Sequence, residues 1–137
     1  MRVLLDTNVV LDVLLARQPF VGAASRVFAL AEHSRIEGLI CATTITTVDY
    51  LLIQSMPHSD ARQALRKLLA IFEIAAVNRS VLEEAMKSRI TDFVDAVIDQ
   101  AGRLAGAEVV ITRNQKDFRH ADLKILGPDE FLSSFRG

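Results

Sequence analysis

Val3-Leu4-Leu5-Asp6-Thr7-Asn8 opens the chain, and Val109-Val110-Ile111-Thr112-Arg113-Asn114 repeats its form a hundred residues later. Each is a short apolar run of strand type that ends abruptly in oxygen-bearing side chains. Runs this short and this apolar fit strands covered on both faces, as in a parallel sheet. The polar residues then fall at the carboxyl ends of the strands, where open α/β sheets form their ligand crevice.

Outward from these two runs the sequence alternates short β-branched segments with longer helical patterns, which reads as α/β with a mainly parallel sheet. Strands are expected at Arg2–Leu5, Leu39–Cys41, Phe72–Ala75, Val109–Thr112 and Lys124–Leu126. Helices are expected at Val9–Ala16, Val21–His33 and Thr44–Ser55. A fourth follows a Ser59 or Asp60 cap to Ala70, with Ala64, Leu65, Leu68 and Leu69 turned inward. Ser80 is read as the cap of a helix to Ser88 or Arg89. Thr91 is read as the cap of one from Asp92 to about Ala105 that Gly106 ends. A loop follows Thr112, and Gly127-Pro128 announces a last short helix with Phe131, Leu132 and Phe135 inward. With 137 residues and neither repeat nor linker, one domain over residues 1–137 is expected.

Half the residues are hydrophobic and 24% are charged, a balance that excludes disorder and supports a sizeable core. Asp6, Asn8 and Asp12 interrupt the apolar start before a signal-peptide core could form, and Gly38–Val48, the longest uncharged stretch, is too short to cross a bilayer. A cytoplasmic protein without a membrane role is expected. The lone Cys41 is read as a small core residue. A net charge of -1 gives no global basic field, so contact with nucleic acid would rest on local patches. Two patches qualify: Arg62, Arg66 and Lys67 on a helix, and Arg113, Lys116, Arg119 and His120 in one loop.

Acids should converge where the strands end. A helix that precedes a parallel strand runs antiparallel to it, so the helix beginning near Asp92 starts at the edge that holds Asp6 and Asn114. Asp92 and Asp95 arrive there, with Asp99 a turn further on and read as structural or supporting. The helix after Leu39–Cys41 starts at the same edge and brings Thr43 to Thr47. Gathered carboxylates repel, and a cation relieves them; an all-oxygen set suits Mg²⁺ or Mn²⁺. Phosphodiester hydrolysis is the chemistry such a site would support. Each acid also has a purely structural reading. Asp6 serves equally as a turn or helix cap, Asp92 as a complement to a helix dipole, and Asn114 and Asp117 as turn formers. Asp12, Asp60, Asp122 and Asp129 are read as surface or capping residues.

Four segments in order, Leu4-Leu5-Asp6-Thr7-Asn8-Val9, Asp92-Phe93-Val94-Asp95-Ala96, Val110 through Phe118, and Gly127-Pro128-Asp129-Glu130-Phe131-Leu132, resemble the PIN-domain family of metal-dependent ribonucleases, and within it the VapC-type toxins. The resemblance covers essentially the whole chain. It implies a three-layer α/β/α sandwich around a short, mainly parallel sheet, and an endoribonuclease of a toxin–antitoxin pair that hydrolyses RNA phosphodiesters with a metal-activated water. It further implies Asp6 and Asp95 as metal ligands, with Asp92 and Asp117 as further catalytic acids. Asn8, Thr47, Thr112, Arg113, Asn114 and Lys116 take supporting or RNA-contacting roles. An RNA substrate, a small antitoxin and a homodimer are the partners implied. The chain departs from the family pattern at Thr47, where the second acid normally stands, since Asp49 comes two residues late and about 200° around the helix. Asn114 likewise stands where many members carry an acid. A catalytically impaired PIN-like module that binds RNA or protein without cutting is the alternative.

Overall fold

The computed structural model describes residues 1–135. Five strands, β1 (Arg2–Leu5), β2 (Glu37–Cys41), β3 (Glu73–Ala75), β4 (Val109–Ile111) and β5 (Lys124–Leu126), form one sheet in the order β3-β2-β1-β4-β5. Every neighbouring pair is parallel. The helices are α1 (Thr7–Leu14), α2 (Val21–Glu32), α3 (Ala42–Leu52), α4 (His58–Ile71), α5 (Arg79–Met86), α6 (Phe93–Leu104) and α7 (Pro128–Ser134), with a 3₁₀ turn at Gln115–Phe118.

Alternation along each strand divides the core into two layers. Val3, Leu5, Ile40, Val109 and Ile111 face one side, where they pack with Val9 and Val10 of α1, Val27 and Phe28 of α2, Val48 and Leu52 of α3, Leu68 of α4 and Phe131 of α7. Leu4, Leu39, Cys41 and Val110 face the other and meet Val81 and Ala85 of α5 and Ala96, Val97, Ile98 and Ala101 of α6. The result is an α/β/α sandwich, as the sequence implies. Cys41 is fully buried as a free thiol.

The boundaries differ from the sequence reading in instructive places. α1 begins at Thr7, because Asp6 itself takes the extended N-cap position (φ -72°, ψ 158°) and accepts the Thr7 N–H. α3 likewise begins directly after β2, at Ala42. Pro57, not Ser59 or Asp60, occupies the N-cap position of α4, and Leu69 lies 53% exposed, because the buried stripe of α4 runs through Ala61 and Leu68. Asn78 caps α5 in place of Ser80, accepting from Val81 N at 3.1 Å. Asp92 caps α6 in place of Thr91. Gly106 ends the α6 segment at φ +85°, a left-handed position that glycine adopts without strain. Among the described residues no helix is long and apolar enough to cross a membrane.

The sheet order fixes where a ligand can sit. The chain builds outward from β1 to β2 and β3, then crosses back to place β4 on the other side of β1. A crevice at such a switch point lies beyond the carboxyl ends of the two strands that flank it. Those ends are Asp6 and Thr112.

Candidate active site

Asp6 is almost wholly buried and is held by three neighbours. Its Oδ1 accepts the Thr7 N–H at 2.8 Å, and its Oδ2 accepts the Thr112 hydroxyl at 2.7 Å and the Asn8 amide at 3.2 Å. The same Thr112 oxygen accepts the Asn114 N–H at 3.0 Å, and Asn8 Oδ1 accepts the Arg113 N–H at 3.3 Å. The loop after β4 is thereby fastened to the start of α1, and the Asp6 carboxylate is fixed in direction before any ligand arrives. Asp6 is thus both cap and buried site residue. Burial pushes its carboxyl upward, opposed by the Thr112 and Thr7 hydrogen bonds.

Asp95 lies in the first turn of α6 and faces the same cleft, about 300 Å³ in volume, with Thr7, Asn8, Thr47, Leu51 and Asn114 among its other lining residues. Its backbone N–H is capped by Asp92 Oδ1 at 3.2 Å. Desolvation, then the charges of Asp6, Asp92 and Asp117, push the Asp95 carboxyl up to about 7. Asp95 thus feels three other carboxylates, although only Asp6 among them lines this cleft with it.

Asp92 and Asp117 line an adjoining cleft with Lys116, which is exposed. The 3₁₀ turn carries Lys116 and Asp117 and is pinned by the fully buried Phe118. The sequence reading leaves this segment as a loop, since a single turn is too short to show periodicity. Asp99 is buried and structural, accepting the N–H groups of Asp122 at 3.0 Å and Leu123 at 3.4 Å.

Two side chains sit elsewhere than the sequence suggests. Asp12, expected on the surface, is fully buried, and it binds Arg113 through both carboxylate oxygens at 2.6 and 3.1 Å. Arg113, expected to face RNA phosphate, is thereby committed internally, its guanidinium also lying 3.8 Å over the Phe20 ring. Arg17 reaches the same Asp12 at 3.8 Å and lines the acidic cleft. Sequence reasoning did not single out Thr7, Arg17, Leu51 or Val94 as cleft residues; Thr7 and Arg17 had a signal only in their closeness to Asp6 along the chain.

On α3, Thr47 lies in the cleft, its hydroxyl donating to Thr43 O at 3.1 Å. Asp49 turns away, toward Arg62 of α4 at 3.6 Å. Among the described residues no three His, Cys, Asp or Glu side chains gather closely enough to hold a metal. The donor set is two carboxylates supplemented by the neutral oxygens of Asn114 and Thr47. That chemistry fits a hard divalent cation, since such ions bind through one or two carboxylates and keep several waters.

Comparison with known proteins identifies the family. The family model for the PIN domain matches residues 2–116. No curated protein matches the sequence. Among solved structures, the chain is similar to VapBC-1 from nontypeable Haemophilus influenzae, with a TM-score of 0.71 at 20% identity over 94% of this chain and 99% of that one. It is also similar to VapBC2 from Rickettsia felis, bound there to a promoter DNA fragment, with a TM-score of 0.70 at 18% identity over 93% and 98%. A third is VapC20 of Mycobacterium tuberculosis, a toxin that cleaves the sarcin-ricin loop, with a TM-score of 0.68 at 18% identity over 85% and 93%. With its fold and most of its length matched, the chain belongs to the PIN-domain family.

Proposed function

We propose that this protein is a divalent-metal-dependent endoribonuclease, the toxin of a toxin–antitoxin pair. The observation that carries the reading is the convergence of Asp6 and Asp95 on one cleft at the carboxyl edge, where the charges of Asp6, Asp92 and Asp117 bear on Asp95. Asp6 and Asp95 would hold the Mg²⁺ or Mn²⁺ ion, with Asn114 and Thr47 supplying neutral oxygens. When bound, the ion would stabilise charge developing at phosphorus and favour ionisation of a water. Thr112 and Asn8 orient the Asp6 carboxylate, as their hydrogen bonds to it indicate. Asp92 and Asp117 add the negative potential that draws the cation in, and Lys116 meets RNA phosphate. Arg113 acts through Asp12, by tying the loop after β4 to α1.

By analogy with the VapBC complexes among its structural relatives, the partners are a small antitoxin that closes the acidic crevice and a second copy of the chain, in the cytoplasm. The direct test is RNA cleavage by purified protein with Mn²⁺. Asp6→Asn should abolish cleavage while leaving the melting curve of the fold in place; undiminished cleavage by the clean variant would sink the assignment.

One observation favours a second reading, a PIN-like module that binds without cutting. Thr47 stands in the cleft while Asp49 is turned toward Arg62, so α3 contributes no charge to the metal site. Metal binding without cleavage of any RNA offered would select this reading.

A further inference from the structure

Beside the acidic cleft lies a second and larger one, about 740 Å³, lined by Arg89, Lys116, Arg119 and His120 together with Ile90, Thr91, Asp92 and Asp117. Its cations come from two separate segments. Arg89 belongs to the connection between α5 and α6, while Lys116, Arg119 and His120 belong to the 3₁₀ turn after β4 and the residues just beyond it. Both segments are anchored by buried apolar residues. Ile90 is 6% exposed and donates its N–H to Ser88 Oγ at 3.0 Å, and Phe118 is wholly buried. The exposed charges next to these anchors are therefore carried on fixed backbone.

The charges of Arg89, Lys116 and Arg119 are not used inside the protein. Arg2, Arg17, Arg62, Arg79, Arg103, Arg113 and Lys87 each pair with a carboxylate. Among the described residues the side chains of Arg89, Lys116, Arg119 and His120 make no ion pair and no hydrogen bond, although Asp92 and Asp117 line the same cleft. Asp92 Oδ1 accepts the Asp95 N–H at 3.2 Å, so this acid marks the end of the cleft that adjoins the acid pair. The cleft thus brings unpaired basic side chains together with an acid that adjoins Asp95.

We infer that this cleft binds the phosphates of the RNA strand flanking the bond held at Asp6 and Asp95, with Arg89 and Arg119 as the principal contacts. This rests on the nuclease reading and assigns that strand its path. A chain with one negative charge per nucleotide, lying across both clefts, sets one phosphate at the acids, where a shared cation offsets the like charge, and its neighbours at the unpaired cations. An acidic protein segment would satisfy the cations but would gain nothing from continuity with the acid pair. The assignment moves phosphate recognition from Arg113, which is committed to Asp12, to two arginines that line the cleft from separate segments.

The test is binding of a short fluorescent single-stranded RNA in EDTA, read by anisotropy across a salt series, with Mn²⁺-dependent cleavage of the same RNA measured in parallel. Arg89→Gln with Arg119→Gln should weaken binding roughly tenfold or more and reduce the salt slope by about 1.4, two contacts at about 0.7 each for a single strand. Arg66→Gln with Lys67→Gln, which removes two cations of α4 outside the cleft, should leave both unchanged. All four residues are exposed, so folding is not at stake. Binding that depends on the two arginines without any cleavage would uphold the path while defeating the nuclease reading. Wild-type cleavage with RNA binding indifferent to the two arginines would overturn the path and spare the nuclease. Loss of polyglutamate binding with RNA binding intact would also overturn it, in favour of a protein partner. Wild-type protein that neither binds nor cuts RNA would overturn both.

Discussion

At the scale of single residues the site is a set of charges that the fold holds against their own repulsion. Asp95 shows this most directly, its carboxyl pushed from the ordinary carboxylate range up to about 7 by desolvation and by Asp6, Asp92 and Asp117. Between those limits the metal-free folded protein keeps a proton that the unfolded chain has released, so stability falls as pH rises through the window from about 4 to about 7. Asp95→Asn removes the titration. Melting curves in EDTA should show the variant at least as stable as wild type above pH about 7, with a flatter pH profile below it. A profile parallel to wild type would mean that Asp95 does not sense its neighbours. Asp12 is the opposite case, a buried carboxylate that is fully paired. Asp12→Ala strands the Arg113 guanidinium and should cost about 3 kcal/mol in denaturant unfolding, toward the low end for a broken buried pair because Arg113 remains a quarter exposed. Asp6 and Asp95 were legible in the sequence because each interrupts an apolar run at a strand end or first helical turn. Asp12 was not, because its partner lies 101 residues away and a local reading meets only an acid on a short helix.

At the scale of elements, the sequence exposes periods well and ends poorly. All five strands and the seven helices are readable from apolar runs and spacing. The misplaced starts of α5 and α6 are each decided by one side-chain hydrogen bond. Ser80 and Thr91 are good caps by residue type, yet Asn78 and Asp92 win, because their oxygens reach Val81 N and Asp95 N. The Asp92 cap matters for function, since the bond that starts α6 also sets Asp92 beside Asp95. Close approach between elements is equally invisible in sequence. Gly38 of β2 lies beneath the Phe72 ring, which meets Phe28 edge-on at 4.9 Å. A Cβ at Gly38 would fall 2.6 and 2.7 Å from two Phe72 ring carbons and 3.1 Å from Ala31 Cβ. The ring is buried and cannot swing aside without disturbing its pair. Gly38→Ala should therefore lower unfolding free energy by about 1–3 kcal/mol, read as a reduced denaturant midpoint at unchanged slope. A neutral outcome would mean that Phe72 has room to shift.

At the scale of the whole molecule, the topology concentrates negative charge on one edge of a chain whose formal net charge is only -1. The crossover that sends the chain from β3 back past β1 to β4 brings Asp6, Thr112 and Asn114 together, and the antiparallel run of α6 delivers Asp95 to them. The opposite edge is arranged differently, for there Arg2 pairs with Glu37 and Glu73 and bonds Ala105 O, so its charges are satisfied within the fold. The carboxyl edge is left with a repulsion that a ligand can relieve, and a ligand that binds the folded state alone raises its stability by mass action. Mn²⁺ should accordingly raise the melting temperature, and raise it more at about pH 8 than at about pH 5, because at the lower pH protons compete for the carboxylates. Asp6→Asn and Asp95→Asn, separately, should each reduce the shift to near nothing. A shift that survives in both variants would place the ion elsewhere on the molecule. No shift for wild type even at millimolar metal would weigh toward the non-cutting reading, in which Thr47, facing the cleft while Asp49 turns to Arg62, leaves the edge with too little charge to hold an ion by itself.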